Sequence, residues 1–307
     1  ANMLNEKIFE YIYYYALETS CEEAKQHNEK LKCVRLICDY IHYPSNDIEP
    51  KYKDELNNDK ITEDNVNELL TCIQPTRQEL LSDKGCYSSY EGSYMSEGKF
   101  QWELSDERPN LTLDWEALRQ RIKEHGVRNS LLVAPMPTAS TSQICGNNEC
   151  IEPFTSNLYA RRTLSGEFIV INPWLFRDLI NMGLWTKDIR DKLIYYRGSI
   201  QKILEIPRYC RDIYKTAWEI KQKVIVDMAY TRQFFIDQSQ SLNVFMEDPT
   251  FNLLIKYHIY SWKKGLKTGS YYIRSKPAAN SQQFTLDPET QRKIELEEEV
   301  GCVMCSS

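Results

Sequence analysis

Histidine is scarce in this chain of 307 residues. Its four histidines, His27, His42, His125 and His258, each stand alone. No His-based triad or metal cluster is legible from such isolated positions, and no second Cys or His pair lies near the one Cys-x-x-Cys motif. Long apolar runs are missing too. None approaches the ~20 residues of a membrane span. Asn2, Asn5, Glu6 and Lys7 leave no continuous apolar stretch of the kind a signal peptide needs. An excess of positive charge is absent: the net charge of -6 argues against a general binder of nucleic acid or anionic membrane. The ten cysteines do not make a disulfide scaffold. Eight are scattered, at 21, 33, 38, 72, 86, 145, 150 and 210, and the last two form a close pair at 302 and 305. A reduced, cytoplasmic compartment is their simplest home. There is no internal repeat. The first residue is Ala1 rather than Met, which reads as a processed form or a fragment.

What is present is ordinary globular composition, 42% apolar and 27% charged, in a chain long enough for one large domain or two small ones. Residues 6–26 read as a helix with Ile8, Ile12 and Ala16 on one face, and with Tyr11 and Tyr15 as packing residues. Residues 27–85 change character, rich in Asn, Asp, Glu and Lys and broken by Pro44, Pro50 and Pro75. Helices are predicted over 113–125, 173–182, 187–196, 208–230 and 251–264, several of them stopped by Gly126, Gly183, Gly198 or Gly265. Short strands are predicted over 131–134, 168–172, 241–245 and 270–274. The alternation suggests an α/β core of parallel units. From Thr285 the chain turns polar and reads as a mobile tail.

Four constellations could carry chemistry. Thr138-Ala139-Ser140-Thr141 lies between the apolar run 131–134 and a helix start at Ser142. Backbone N–H groups and hydroxyls at such a turn suit a phosphate, although many Ser/Thr turns are only N-caps. Cys302-Val303-Met304-Cys305 can pass two electrons by thiol–disulfide exchange, or can form half of a metal site. Tyr271-Tyr272 are either two packing residues or a pair of redox-active phenols. Asn148, Cys150 and Glu152 alternate, so on an extended segment all three would face one way. That would give Cys150 an acid/base neighbour, with a structural thiol as the alternative.

Together these residues resemble the large catalytic subunit of class I ribonucleotide reductase, with the eukaryotic and large-DNA-virus branch nearest. The resemblance is carried by Arg128–Thr141, by Gly146-Asn147-Asn148-Glu149 and by Tyr159-x-Arg161-Arg162-x-x-Ser165-Gly166-Glu167-Phe168. Ile236–Asn243, Gly265-Leu266-Lys267-Thr268-Gly269-x-Tyr271-Tyr272 and the terminal Cys-x-x-Cys complete it, in the family's order. It covers residues 1–26 and 86–305. It implies a helix-rich C-terminal part of a ten-stranded α/β barrel, divided as a barrel helix (1–26), a polar insertion (27–85), the second barrel half (86–284) and a flexible redox tail (285–307).

The resemblance further implies reduction of ribonucleoside diphosphates to deoxyribonucleotides by thiyl-radical chemistry, for DNA synthesis in the cytoplasm. Thr138, Ala139, Ser140 and Thr141 would bind the substrate diphosphate. Tyr271 and Tyr272 would relay the radical from a small subunit that carries a dimetal centre. Cys302 and Cys305 would re-reduce an active-site disulfide and be reduced in turn by thioredoxin or glutaredoxin. No metal or cofactor would bind this chain directly. ATP and deoxynucleotide effectors would bind the family's N-terminal half, and the complete large subunit would form a homodimer.

That half, with the radical cysteine on its finger loop, is expected to precede Ala1, so the chain alone should not turn over. Asn148-x-Cys150-x-Glu152 imitates the finger loop but sits just after the phosphate loop, and Cys150 is not assigned the radical role. About thirty residues separate Tyr272 from Cys302, and an extended chain spans roughly 3.3–3.6 Å per residue, which leaves the tail able to reach an active site. The alternative is a non-catalytic fragment or split-subunit piece that acts as a binding or scaffold partner.

Overall fold

The computed structural model describes residues 1–42, 85–276 and 286–304. The chain divides into two compact units, Ala1–Ala134 with Thr231–Ser239, and Pro135–Tyr230 with Gln240–Ser307.

The first unit is built on α1 (Asn2–His42) and α2 (Trp115–His125). The buried face of α1 is Phe9, Tyr13, Leu17, Cys21 and Ala24, not the expected Ile8, Ile12 and Ala16. Ile8 and Ile12 are each 47% exposed, and Tyr11 and Tyr15 are exposed as well. The reason lies in an aromatic cluster: Tyr13 lies 6.1 Å from Trp102 and 5.9 Å from Trp115, which themselves stand 4.1 Å apart, edge to face. Buried Glu10 shares that face. Its carboxylate accepts hydrogen bonds from the Thr112 N–H (2.5 Å), the Thr112 hydroxyl (2.7 Å), the Leu113 N–H (3.1 Å) and the Trp115 indole (3.0 Å). The helix also runs on to His42, so the segment expected as an insertion from residue 27 begins inside α1. Residues 43–84 lie outside the described residues.

Asp114 caps α2 by accepting the Ala117 N–H at 3.0 Å, and Gly126 ends the helix at φ 74°. The run 131–134 is not a strand. Its N–H groups at Leu132 and Val133 are taken by the Asp237 carboxylate, at 2.8 and 3.0 Å, and Leu131 is 53% exposed.

The second unit holds α3 (Thr141–Ile144), the hairpin β1 (Leu158–Thr163) and β2 (Gly166–Ile171), α4 (Pro173–Asn181), α5 (Lys187–Tyr195) and α6 (Arg208–Ile213). Then come α7 (Gln222–Gln233, which ends in the first unit), β3 (Val244–Met246), α8 (Phe251–Lys263), β4 (Ile273–Ser275) and α9 (Pro288–Met304). Strand β1 pairs antiparallel with β2, from Leu158↔Ile171 to Thr163↔Gly166. The expectation of parallel units fails there because two residues connect the strands, and a parallel crossover takes about a dozen. Strands β3 and β4 do pair in parallel, Val244 opposite Ile273.

The helical pattern predicted over 208–230 is interrupted between α6 and α7. Asn157 Nδ2 donates to the Tyr214 carbonyl (2.9 Å), the Ala217 N–H donates to the Phe154 carbonyl (2.8 Å), and Glu219 accepts the Thr216 N–H (2.7 Å). Two tertiary partners and one local carboxylate thus replace the i→i−4 ladder. The core of this part is Leu175, Leu179, Ile189, Leu193, Ile200 and Ile203. The segment expected as a tail without packing carries α9. Asp287 starts it by accepting the Thr290 N–H at 2.9 Å, Ile294 is 2% exposed, and Lys293 lies 3.5 Å from Asp188 of α5. Its Glu, Gln, Lys and Arg residues are strong helix formers, which a reading of polarity alone overlooks.

Two outcomes follow. Burial pushes the Glu10 carboxyl up, but its hydrogen bonds more than offset that and hold it below the ordinary 4.5. Its contribution to stability is therefore present above about pH 4.5 and is lost as pH falls through the lower folded value. Glu10→Ala should cost about 3 kcal/mol in urea unfolding at pH 7, and the difference from the parent should shrink in acid. Gly198 sits at φ 82°, and a Cβ there would fall on Ser156 Oγ and within 2.7 and 2.8 Å of the Leu158 and Asn157 nitrogens. Gly198→Ala should lower the melting temperature by several degrees, on the order of 2 kcal/mol.

Candidate functional site

The turn 137–141 and the tyrosine pair lie in the same unit and flank the same segment, residues 240–243. The Ser241 N–H donates to the Pro135 carbonyl at 3.0 Å, and the Tyr271 N–H donates to the Leu242 carbonyl at 2.7 Å.

Thr138 adopts φ 51°, a strained value for a β-branched residue, and its carbonyl accepts the Ser142 N–H at 2.9 Å. This bend turns Ala139, Ser140 and Thr141 outward, and all three are exposed. Among the described residues, no partner takes their N–H groups. Helix α3 has a single turn, so its dipole adds little, and the donors themselves make the site. Ser142 Oγ, buried behind the turn, has no hydrogen-bond partner. The Arg161 guanidinium of β1 donates to Gln143 Oε1 of α3, which places a cation one turn beyond the bend.

The segment 148–152 is a turn, not the extended run that would align its side chains. Asn148 Nδ2 donates to the Glu152 carbonyl at 2.7 Å, and Cys150 sits at φ 48°. Cys150 nevertheless meets Glu152. Burial, then the neighbouring Glu152 carboxylate, push the Cys150 thiol up to about 12. That favours the structural-thiol alternative for Cys150 over the reactive one, since the thiolate is the nucleophile. Its Sγ donates to the Pro137 carbonyl at 3.3 Å, and its N–H donates to Thr138 Oγ1 at 3.0 Å.

Tyr271 and Tyr272 do not point to opposite faces, as a regular strand would require. They precede β4 in irregular backbone, and their rings touch at 4.3 Å between centroids with a 66° interplanar angle. Each is about half exposed. The hydrogen bond with Tyr272 raises the Tyr271 hydroxyl above its usual value. The Tyr272 N–H donates to Asn243 Oδ1 at 3.2 Å, and the Arg274 guanidinium lies 5.9 Å from the Tyr272 ring centre. Asn243 and Arg274 were not singled out as site residues from the sequence, and Glu152 was named there only as a neighbour of Cys150. Asn243 pairs with a residue 91 positions away, and no local pattern signals that.

Cys302 lies in α9, and Cys305 lies outside the described residues. No group of three or more potential metal ligands occurs among the described residues, and no described helix is long and apolar enough to cross a membrane.

The model of the ribonucleotide reductase barrel domain matches residues 1–272. The chain belongs to that family. The ribonucleoside-diphosphate reductase large subunit of Caenorhabditis elegans is 43% identical over 315 aligned positions, covering all of this chain and 33% of that protein. The large chain of Schizosaccharomyces pombe is 53% identical over 210 positions, covering 68% of this chain and 26% of its own length. The large subunit of Arabidopsis thaliana is 56% identical over 209 positions, again covering 68% and 26%. The chain thus spans about a quarter to a third of these ribonucleotide reductase subunits. The barrel-domain match covers the phosphate-loop candidate and both tyrosines, and it stops before α9.

The thiol chemistry is directly testable. With iodoacetamide at pH 8, exposed Cys145 should be alkylated well before Cys150 in peptide mass spectrometry. Glu152→Ala should narrow the gap, because it removes the neighbouring charge that disfavours the Cys150 thiolate.

Proposed function

We propose that this chain works as the C-terminal part of a ribonucleotide reductase large subunit, and reduces ribonucleoside diphosphates to 2′-deoxyribonucleoside diphosphates in the cytoplasm. The observation that carries the reading is the Tyr271–Tyr272 ring contact at 4.3 Å. Two phenols in contact, half exposed and fixed through their backbone, can hand an electron from one ring to the next while each hydroxyl gives up or regains its proton.

In this reading the exposed N–H groups of Ala139, Ser140 and Thr141, with the Ser140 and Thr141 hydroxyls, cradle the substrate diphosphate. They match phosphate oxygens as donors, and Arg161 adds positive charge nearby. The unmet hydroxyl of Ser142 fits a site completed by a polar ligand or its bound water. A small subunit with a dimetal centre supplies the radical at the exposed face of the tyrosine pair. Cys302 and Cys305 give two electrons and two protons to an active-site disulfide, close their own disulfide, and are re-reduced by thioredoxin or glutaredoxin. The finger-loop cysteine and the sites for ATP and deoxynucleotide effectors belong to the part of the subunit outside this chain.

The test uses the full-length subunit carrying this chain, with its small subunit, thioredoxin and CDP. Tyr272→Phe should lower turnover by about a hundredfold or more with CDP binding unchanged, because the phenylalanine ring has no hydroxyl to oxidise at that potential. Cys302→Ser combined with Cys305→Ser should leave a first burst of product and abolish the steady state. Undiminished turnover in Tyr272→Phe would show that the relay reading is wrong.

A further inference from the structure

A path of hydrogen bonds and one short run of chain joins the turn 137–141 to the tyrosine pair. It starts at Thr138 Oγ1 and the Pro137 carbonyl, which accept from the Cys150 N–H and thiol. From Cys150 it follows the backbone to Glu152, whose carbonyl accepts from Asn148 Nδ2 at 2.7 Å and so closes the turn 148–152. Glu152 Oε1 accepts from Asn243 Nδ2 at 2.5 Å, and Asn243 Oδ1 accepts the Tyr272 N–H at 3.2 Å. Asn243 is 1% exposed, so both ends of its amide are committed. A second contact runs beside the first: Glu149 Oε2 lies 3.8 Å from Arg274, whose guanidinium lies by the Tyr272 ring. The path has strained residues at its start, Thr138 at φ 51° and Cys150 at φ 48°. Such residues persist only where their surroundings hold them, so a ligand on the turn has stored strain to act on.

We infer that Glu152 and Asn243 are positioning residues, which couple occupancy of the Thr138–Thr141 turn by a nucleoside diphosphate to the placement of Tyr272. The inference rests on the diphosphate-cradle reading given above. A diphosphate that engages the N–H groups at 139–141 fixes the Thr138 bend. Thr138 sets the Cys150 turn, that turn positions Glu152, the Glu152 carboxylate accepts from Asn243, and Asn243 holds the Tyr272 backbone. The relay is then aligned when substrate is present, which keeps a radical from arriving at an empty site. The coupling is mechanical and needs no proton to move along the path.

The experiment uses the full-length subunit carrying this chain, with 3-fluorotyrosine placed at position 272 and CDP as the ligand. In the parent protein CDP should shift the fluorine resonance. Glu152→Ala and Asn243→Ala should bind CDP within about twofold of the parent while the shift falls to about half or less, a loss of coupling rather than of binding. Glu152→Gln keeps a carbonyl oxygen for the Asn243 amide and should restore most of the shift, which a loss of fold would not allow. Circular dichroism on each variant confirms the fold. An undiminished shift in both alanine variants, or no shift in the parent, overturns the link and leaves the cradle standing. A CDP affinity unchanged by Ser140→Ala with Thr141→Ala overturns the cradle and the link with it.

Discussion

Backbone N–H and C=O groups in irregular segments must find partners, and this protein meets that constraint with a few carboxylates and amides, most of them buried. Asp237 takes the N–H groups of Leu132 and Val133. Glu10 takes those of Thr112 and Leu113. Asn157 donates to the Gly198 and Tyr214 carbonyls, each at 2.9 Å, and Asn243 accepts from Tyr272. The strand ladders among the described residues are short, two pairs in all. Much of the chain that positions the site is therefore held by side chains rather than by sheet. Such points concentrate stability. Losing one leaves several buried groups unsatisfied at once, whereas a single ladder bond is a small part of a distributed total.

The helices that could be read from the sequence are those with local punctuation. Asp114, Asn172, Thr186 and Thr250 each accept an N–H of the following turn; α4, α5 and α8 start where expected, and α2 starts just after Asp114 rather than at residue 113. What escaped was set by distant partners. The buried face of α1 includes Glu10, a residue that no hydrophobic pattern assigns to a core. The pattern over 208–230 looks continuous because nothing in it forbids a helix; Asn157 and Phe154 break it from outside, and Glu219 caps the break from within. The hairpin β1–β2 was half found, since the alternation in Leu158–Thr163 is obscured by two arginines.

The site divides along the same line. The turn 138–141 and the tyrosine pair were legible as chemistry, and family resemblance gave them roles. Their placement in one unit on either side of 240–243 was not legible, because it depends on the non-local pairings of Ser241 with Pro135 and of Tyr271 with Leu242. The alternation at Asn148, Cys150 and Glu152 drew attention to the right segment with the wrong geometry. A turn rather than an extended run places the thiol near the carboxylate, and burial raises the thiol above its ordinary value.

The amide of Asn243 has a donor at one end and an acceptor at the other, and its two partners are not interchangeable: one is a carboxylate, the other an N–H. Its orientation is thus fixed by chemistry, like a plug with unequal pins. Rotation by half a turn would set oxygen against oxygen and hydrogen against hydrogen. Aspartate, nearly the same shape, would place a second negative charge against Glu152 and could satisfy only one pin. Shape alone would admit either residue there; polarity selects asparagine.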